Sequence, residues 1–365
     1  MEIFKFFFKF GWVAFGGPAA HIAVMEEELV KKRKWLSMEE FLDYVGMTNL
    51  IPGPNSTEMT MHVGYHRGGG AGLFAAGIGF IFPAFFITLL VAIGYDSIKD
   101  IAYILPIISG IKAAVISFIA AAIFKLGKKA AKSTQLIILG ILALLAAVLG
   151  VNEILVILGA GIFAMMLSFL MRPNQLNSIV FLPLLAIVST DIPYSKIFLI
   201  FLKVGAVLFG SGYVLFAYLD GELINNLGWL THDDLIEAIA VGQITPGPVL
   251  STATFIGYQL GGIPGALAAT FGIFLPSFLF VWLLNPIVHK MRSSKILISF
   301  LDAVNIAAVA VMIYVTFEIA NSIVVDWKAA VIMTISCGLY FYNQKTSPFL
   351  IILLGAVLGG VLSLV

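Results

Sequence analysis

Residues 49–58 read Asn49-Leu50-Ile51-Pro52-Gly53-Pro54-Asn55-Ser56-Thr57-Glu58, and 194 positions on the same break recurs as Gln243-Ile244-Thr245-Pro246-Gly247-Pro248. Helical character runs from Glu39 to Leu50, the Pro-Gly-Pro triplet interrupts it, and Asn55 to His66 can resume a helix. Pro54 suits a first helical turn and Gly53 a sharp one. Outward from the break the offset of 194 holds for Lys9 and Lys203, Phe15-Gly16 and Phe209-Gly210, Glu28-Leu29 and Glu222-Leu223, and Trp35-Leu36 and Trp229-Leu230. After the break one residue is lost, so Gly64-Tyr65, Gly72 and Pro83 match Gly257-Tyr258, Gly265 and Pro276. Ala113-Ala114-Val115 and Ala307-Ala308-Val309 return to 194. The chain therefore reads as two homologous halves, residues 1–172 and 196–365, joined by a linker at 173–195.

Composition places both halves in a membrane. Of 365 residues 60% are hydrophobic and 11% charged, against about 45–50% and 25% in soluble chains. With 21 Lys and Arg against 20 Asp and Glu the net charge is +1, and nothing points to nucleic acid. The single Cys337 excludes an intrachain disulfide, and no Cys/His cluster has zinc-ligand spacing. Apolar runs include 73–93, 102–124, 136–151, 154–171, 197–217, 263–286, 296–320, 329–342 and 349–365. They predict helices rather than the alternating strands of a barrel. A chain this long has room for roughly ten to thirteen spans. Phe4 to Val24 is too long for a signal-peptide core, and a related segment recurs inside the chain.

Charge orients the halves. Lys31 to Lys34 follow the first apolar stretch, whereas the matching residues 220–229 carry Asp220 and Glu222 and no Lys or Arg. Asp96, Lys99 and Asp100 correspond to a stretch with His289, Lys290, Arg292 and Lys295, and the loop with Lys125, Lys128, Lys129 and Lys132 corresponds to 321–326, which ends in Asp326. Three paired loops invert their sign, which predicts an inverted-topology repeat. The expected fold is an all-α polytopic membrane protein, two homologous inverted-topology repeats whose broken or re-entrant helices meet near the midplane. On that topology the linker, broken by Pro183, returns to the side it left.

Helix breaks free backbone groups, and a half-helix N-terminus attracts anions. Asn55, Ser56 and Thr57 add side-chain donors after the first Pro-Gly-Pro, Ser251 and Thr252 after the second, beside Thr245 and Gly247. Two facing N-termini suit a compact tetrahedral oxyanion. Gly16-Gly17-Pro18 and Gly210-Ser211-Gly212 break the first helix of each half. Lys9 and Lys203, about two turns earlier, either snorkel to the interface or counter a substrate charge. His21, His62, His66 and Arg67 concentrate polar chemistry in half one, since their counterparts are Leu215, Phe255, Gln259 and Leu260. Glu58 is the candidate proton-linked carboxylate, with a role in the helix dipole as its alternative. Glu26 to Glu28 read as an interfacial ion-pair cluster, and Lys112, Asp302 and Glu318 as partners of one another or as route-lining groups. With no G-x-x-x-x-G-K-[ST] loop and no H-E-x-x-H, neither an ATPase nor an intramembrane metalloprotease is expected.

The stretch Phe15-Gly16-Gly17-Pro18-Ala19-Ala20-His21, then Trp35-Leu36, then Asn49 to Glu58 and Gly64-Tyr65, resembles the chromate ion transporter family. It is similar to the long-chain type with two fused, oppositely oriented domains. Phe209-Gly210-Ser211-Gly212 and Thr245 to Pro248 carry the likeness into half two, with Ser211 where a glycine is usual. The resemblance implies efflux of chromate, with sulfate a competitor, in a prokaryotic cytoplasmic membrane. It implies no cofactor, and partners limited to the oxyanion, the bilayer and, left open, further copies of the chain. An oxyanion uptake carrier and an anion channel remain alternatives on the same scaffold. The expected substrate set is Lys9, Gly16, Gly17, Pro18, Asn49, Gly53, Pro54, Asn55, Ser56, Thr57, His62, Arg67, Gly210, Ser211, Thr245, Gly247, Ser251 and Thr252, with Glu58 for the proton.

Overall fold

Glycine breaks turn the first apolar stretch back on itself. In the computed structural model, which describes residues 1–99, 101–171, 193–209, 212–285, 294–343 and 346–364, α1 (Glu2–Val13) ends before Gly16 and Gly17, at φ +98° and +79°. Pro18 then opens α2 (Gly17–Met25), which runs into a π-helical turn, Glu26–Lys32. Phe6 packs on Trp35 at 5.2 Å and under the Arg33 guanidinium at 4.7 Å, so the chain returns to the end where it began. Phe4 to Val24 is thus a hairpin of two helices and not one crossing.

A second hairpin follows. A Ser37/Glu40 capping box starts α3 (Met38–Met47), satisfying two backbone N–H groups that the first turn leaves open. The Pro-Gly-Pro tip leads into α4 (Asn55–Ile98). Tyr44 stacks on His62 at 5.5 Å and its hydroxyl lies 3.0 Å from His66 Nδ1, so α3 and the start of α4 run antiparallel. At Gly68 and Gly69 the helix is interrupted (φ −148°, ψ 22° and φ 57°, ψ −148°), and Gly64 and Gly72 meet backbone to backbone. The remainder of α4 is a long apolar helix to the other end. There follow α5 (Leu105–Ala130), α6 (Thr134–Val148) and α7 (Glu153–Met171).

The second half repeats this plan. Its helices are α8 (Pro193–Val207), α9 (Leu215–Leu219) with a π-helical turn Asp220–Asn226, α10 (His232–Ile244) and α11 (Thr252–Leu284). A Thr231/Asp234 box caps α10, and α11 breaks at Gly261 and Gly262 with φ −159°, ψ 25° and φ 61°, ψ −151°. Then come α12 (Lys295–Ile323), α13 (Trp327–Tyr342) and α14 (Pro348–Leu362).

Equivalent helices meet head to tail. Gly70 of α4 faces Trp282 of α11, Phe74 stacks on Phe278 at 5.3 Å, and Gly77 abuts Phe278. Lys132, just past α5, bonds to Asp302 of α12, Ala130 packs by Ile306 and Gly127 faces Val309. In both pairs one chain's numbering rises as the other's falls. Among the described residues five helices, α4, α5, α7, α11 (with the turn before it) and α12, are long and apolar enough to cross a membrane, and α6 and α14 are shorter apolar helices. That is fewer long spans than expected, because much apolar sequence is spent on hairpins and short helices. Ile137, Ile138, Ile141, Leu142 and Leu145 stand exposed along α6, a lipid-facing rather than a water-facing surface. Among the described residues there is no strand. Most of the linker, Gly210, Ser211, His289, Lys290 and Arg292 lie outside the described residues.

Charge separates the two ends. Arg67 lies 3.4 Å from Glu2 and 4.5 Å over the Trp35 ring, which gathers Lys31 to Lys34 and Arg67 at one end, and α5 brings Lys125 to Lys132 back to it. Glu153, Asp220 and Glu222 occupy the opposite end, where Asn225 Nδ2 donates to both Glu153 and Asp220. The ion-pair cluster expected at Glu26 to Glu28 is present: Lys31 lies 3.1 Å from Glu27 and Lys32 2.7 Å from Glu28.

Candidate functional site

Each Pro-Gly-Pro tip docks on the broken first helix of the other half. The Gly53 N–H donates to the Leu208 carbonyl at 2.7 Å, and the Gly247 N–H donates to the Ala14 carbonyl at 2.8 Å. Gly53 and Gly247 are equivalent positions, as are Ala14 and Leu208. Both glycines hold positive φ (+143° and +96°), and a Cβ on Gly247 would lie 2.8 Å from that of Ala84. On Gly53 it would strike the Glu58 carboxyl and the hydroxyl of Ser277, the counterpart of Ala84. His21 adds a bond found only in half one, its Nε2 2.9 Å from the Ala14 carbonyl.

Behind the first tip Asn55 Nδ2 donates to Asn49 Oδ1 at 2.8 Å, and Asn49 Nδ2 donates to the Val45 carbonyl at 2.9 Å. Ser56, Thr57 and Glu58 are buried, the last two fully. Thr57 and Ser251 are equivalent, and each buries a hydroxyl with no hydrogen-bond partner among the described residues. Thr245 and Thr252 donate locally, to Val241 at 2.7 Å and Val249 at 2.9 Å.

A cavity of about 1060 Å³ opens among these elements at the basic end. Gly16, Pro18, Asn49 and Asn55 line it, with Lys125 and Lys129 of α5, Lys132 just past α5, and Asp302 and Asn305 of α12. Tyr213 also lines it, with its hydroxyl so close to Gly17 that a Cβ there would lie 2.7 Å away. Four expected residues thus share one cavity, while the buried Thr57, Glu58, Ser251 and Thr252 do not line it. In the sequence Lys125 and Lys129 mark only the orientation of a loop. Their spacing at 125 and 129 puts both on one helix face, but that this face borders the same cavity as Asn49 and Asn55 is not visible in sequence.

Other expected residues lie elsewhere. His62 stacks on Tyr44 with Nδ1 3.2 Å from Asn285 Oδ1, and Arg67 is the partner of Glu2 and Trp35. Lys203 pairs with Glu222 at 2.6 Å. Lys9, exposed on α1, stands toward Glu28, the counterpart of Glu222; the Lys32 ammonium holds the Glu28 carboxyl below the usual range, with Arg33 and Lys9 adding weaker attraction. Lys112 pairs with Glu237 at 2.7 Å and Asp233 at 3.3 Å, not with Asp302 or Glu318. Polar chemistry is not confined to half one, since Asp220 and Glu222 are buried in half two and His232 Nε2 lies 3.0 Å from Asp220. Among the described residues no group of three metal-ligating side chains gathers.

Similarity to known proteins assigns the chain to a family. A family model described as chromate transporter matches residues 1–165 and 195–360. A probable chromate transport protein of Synechococcus elongatus is 30% identical over 98% of this chain and 94% of its own. A chromate transport protein of Cupriavidus metallidurans is 30% identical over 98% and 92%, and an uncharacterized transporter of Methanocaldococcus jannaschii 29% over 98% and 93%. No solved structure matches the chain. With the family match covering both halves and the breaks that shape the cavity, this multi-pass membrane chain belongs to the chromate transporter family.

Proposed function

We propose that the chain exports chromate, and tetrahedral dianions such as sulfate, across the cytoplasmic membrane of a prokaryote as a secondary transporter and not an enzyme. The observation that carries this reading is the cavity at the basic end, which joins the Asn49 and Asn55 amides to lysine side chains. Positive loops favour the cytoplasmic side, so a cavity at that end loads from the cytoplasm. The antiparallel contacts of α4 with α11 and of α5 with α12, and the reciprocal bonds of Gly53 and Gly247, support two inverted repeats, about 1–172 and 196–365, that alternate access around the interlocked tips. Gly16, Gly17, Pro18, Asn49, Gly53, Pro54, Asn55, Ser56 and Thr57 then hold substrate from half one, and Thr245, Gly247, Ser251 and Thr252 from half two.

Energetics favour the outward direction. A dianion leaving a negative-inside cell gains about 4.6 kcal/mol per 100 mV, from roughly 2.3 per charge. Import of the same ion needs at least two co-transported cations to cancel that charge. Export is driven by the potential, or by proton antiport with Glu58 exchanging the proton beside Ser277. Proteoliposomes test the mechanism: labelled chromate flux should saturate, fall with excess sulfate and accelerate with chromate on the trans side. Flux that neither saturates nor responds to trans substrate identifies a channel instead.

A further inference from the structure

The three lysines lining the cavity are not alike. Lys132 Nζ lies 2.6 Å from Asp302 Oδ1, and that pair is neutral. Lys125 and Lys129, four residues apart on α5, form no ion pair among the described residues. Both are exposed, so both stay solvated when the cavity is empty. Like charges at this spacing repel on a helix. The charged groups lining the cavity therefore leave two uncompensated positive charges, with the Asn49 and Asn55 amides also in its wall. A charged cleft with low-dielectric walls concentrates the field on an incoming ion, and a dianion there removes the repulsion between the lysines.

We propose that Lys125 and Lys129 are a dianion-receiving pair at the mouth of the cavity, and that Asp302, by neutralising Lys132, sets its charge at two. This rests on the reading of the cavity as the path of a divalent oxyanion. Pair and substrate then match in charge, which favours chromate or sulfate over a monoanion of similar size. Removing Asp302 exposes a third charge, which tightens binding and slows release.

Lysines at the end of a membrane helix also fix orientation, and Lys128, on α5 but not lining the cavity, separates the two roles. The test is equilibrium binding of labelled chromate to the purified full chain at low and high salt. K125Q/K129Q should bind about tenfold more weakly at low salt, with the gap narrowing at high salt. K125R/K129R should stay within about twofold of the parent chain because it keeps both charges. K128Q should bind as the parent does, and D302N should bind more tightly. Unchanged affinity in K125Q/K129Q, or an equal loss in K128Q, overturns the proposal while the parent's binding upholds the carrier reading. A parent chain that binds neither chromate nor sulfate overturns the carrier reading itself.

Discussion

Asn55 and Val249 occupy the same position in the two halves, and that exchange makes the two tips chemically unequal. Asn55 reaches the cavity and bonds to Asn49, whereas the hydroxyl of Thr252 is spent on the Val249 carbonyl next to it. Asn55→Ala or Ser56→Ala should weaken oxyanion affinity about fivefold, the worth of a hydrogen bond near 1 kcal/mol, while Thr252→Ala changes it less than about twofold. Titration of the purified variants with chromate checks this, and equal losses at the two tips would mean a symmetric clamp. Glu58→Gln keeps the shape of the side chain and removes its proton exchange. If Glu58 couples a proton, the variant loses the pH dependence of transport; a variant with the parent's rate and pH profile refutes the role. These residues were legible because they flank a Pro-Gly-Pro triplet. Lys125 and Lys129 were not, since only tertiary packing brings them to the same cavity as Asn49.

The hairpins explain why apolar length was a poor guide to spans. Gly68 and Gly69 lie in a Gly-rich stretch between the helix expected over Asn55 to His66 and the apolar run 73–93, and the length of that run does not show that the chain reverses there. The capping boxes that start α3 and α10, Ser37 with Glu40 and Thr231 with Asp234, are readable at matching positions, and they mark each tip-forming helix. Gly69 combines φ 57° with ψ −148°, a region essentially restricted to glycine, with open space around it. Gly69→Ala should therefore cost about 1–3 kcal/mol through backbone strain alone. Gly94 also has open space but sits in ordinary helix, so Gly94→Ala should not destabilise. Thermal unfolding of the two detergent-solubilised variants separates them, and equal midpoints would remove the conformational explanation.

At the scale of the whole molecule the repeat was readable, because residues 194 apart, or 193 after the first Pro-Gly-Pro triplet, recur along both halves, and the family match falls on two segments. The sign reversal of paired loops led to the expectation of an inverted repeat, and the antiparallel contacts of α4 with α11 and of α5 with α12 are compatible with it. The docking of each tip on the other half was not readable, because Gly53 to Leu208 and Gly247 to Ala14 are bonds between halves. Reversing the charge of Lys31 to Lys34 should disturb membrane orientation and leave oxyanion affinity in place. Accessibility of single cysteines placed in the end loops measures the first and chromate titration the second; an unchanged orientation with lost binding contradicts the assignment. Export itself is decided by sided flux: labelled chromate is offered to inside-out and to right-side-out vesicles under an imposed potential, with and without a pH gradient. Saturable accumulation in the inside-out vesicles is the expected result, and loading of the right-side-out vesicles alone would contradict export and establish uptake.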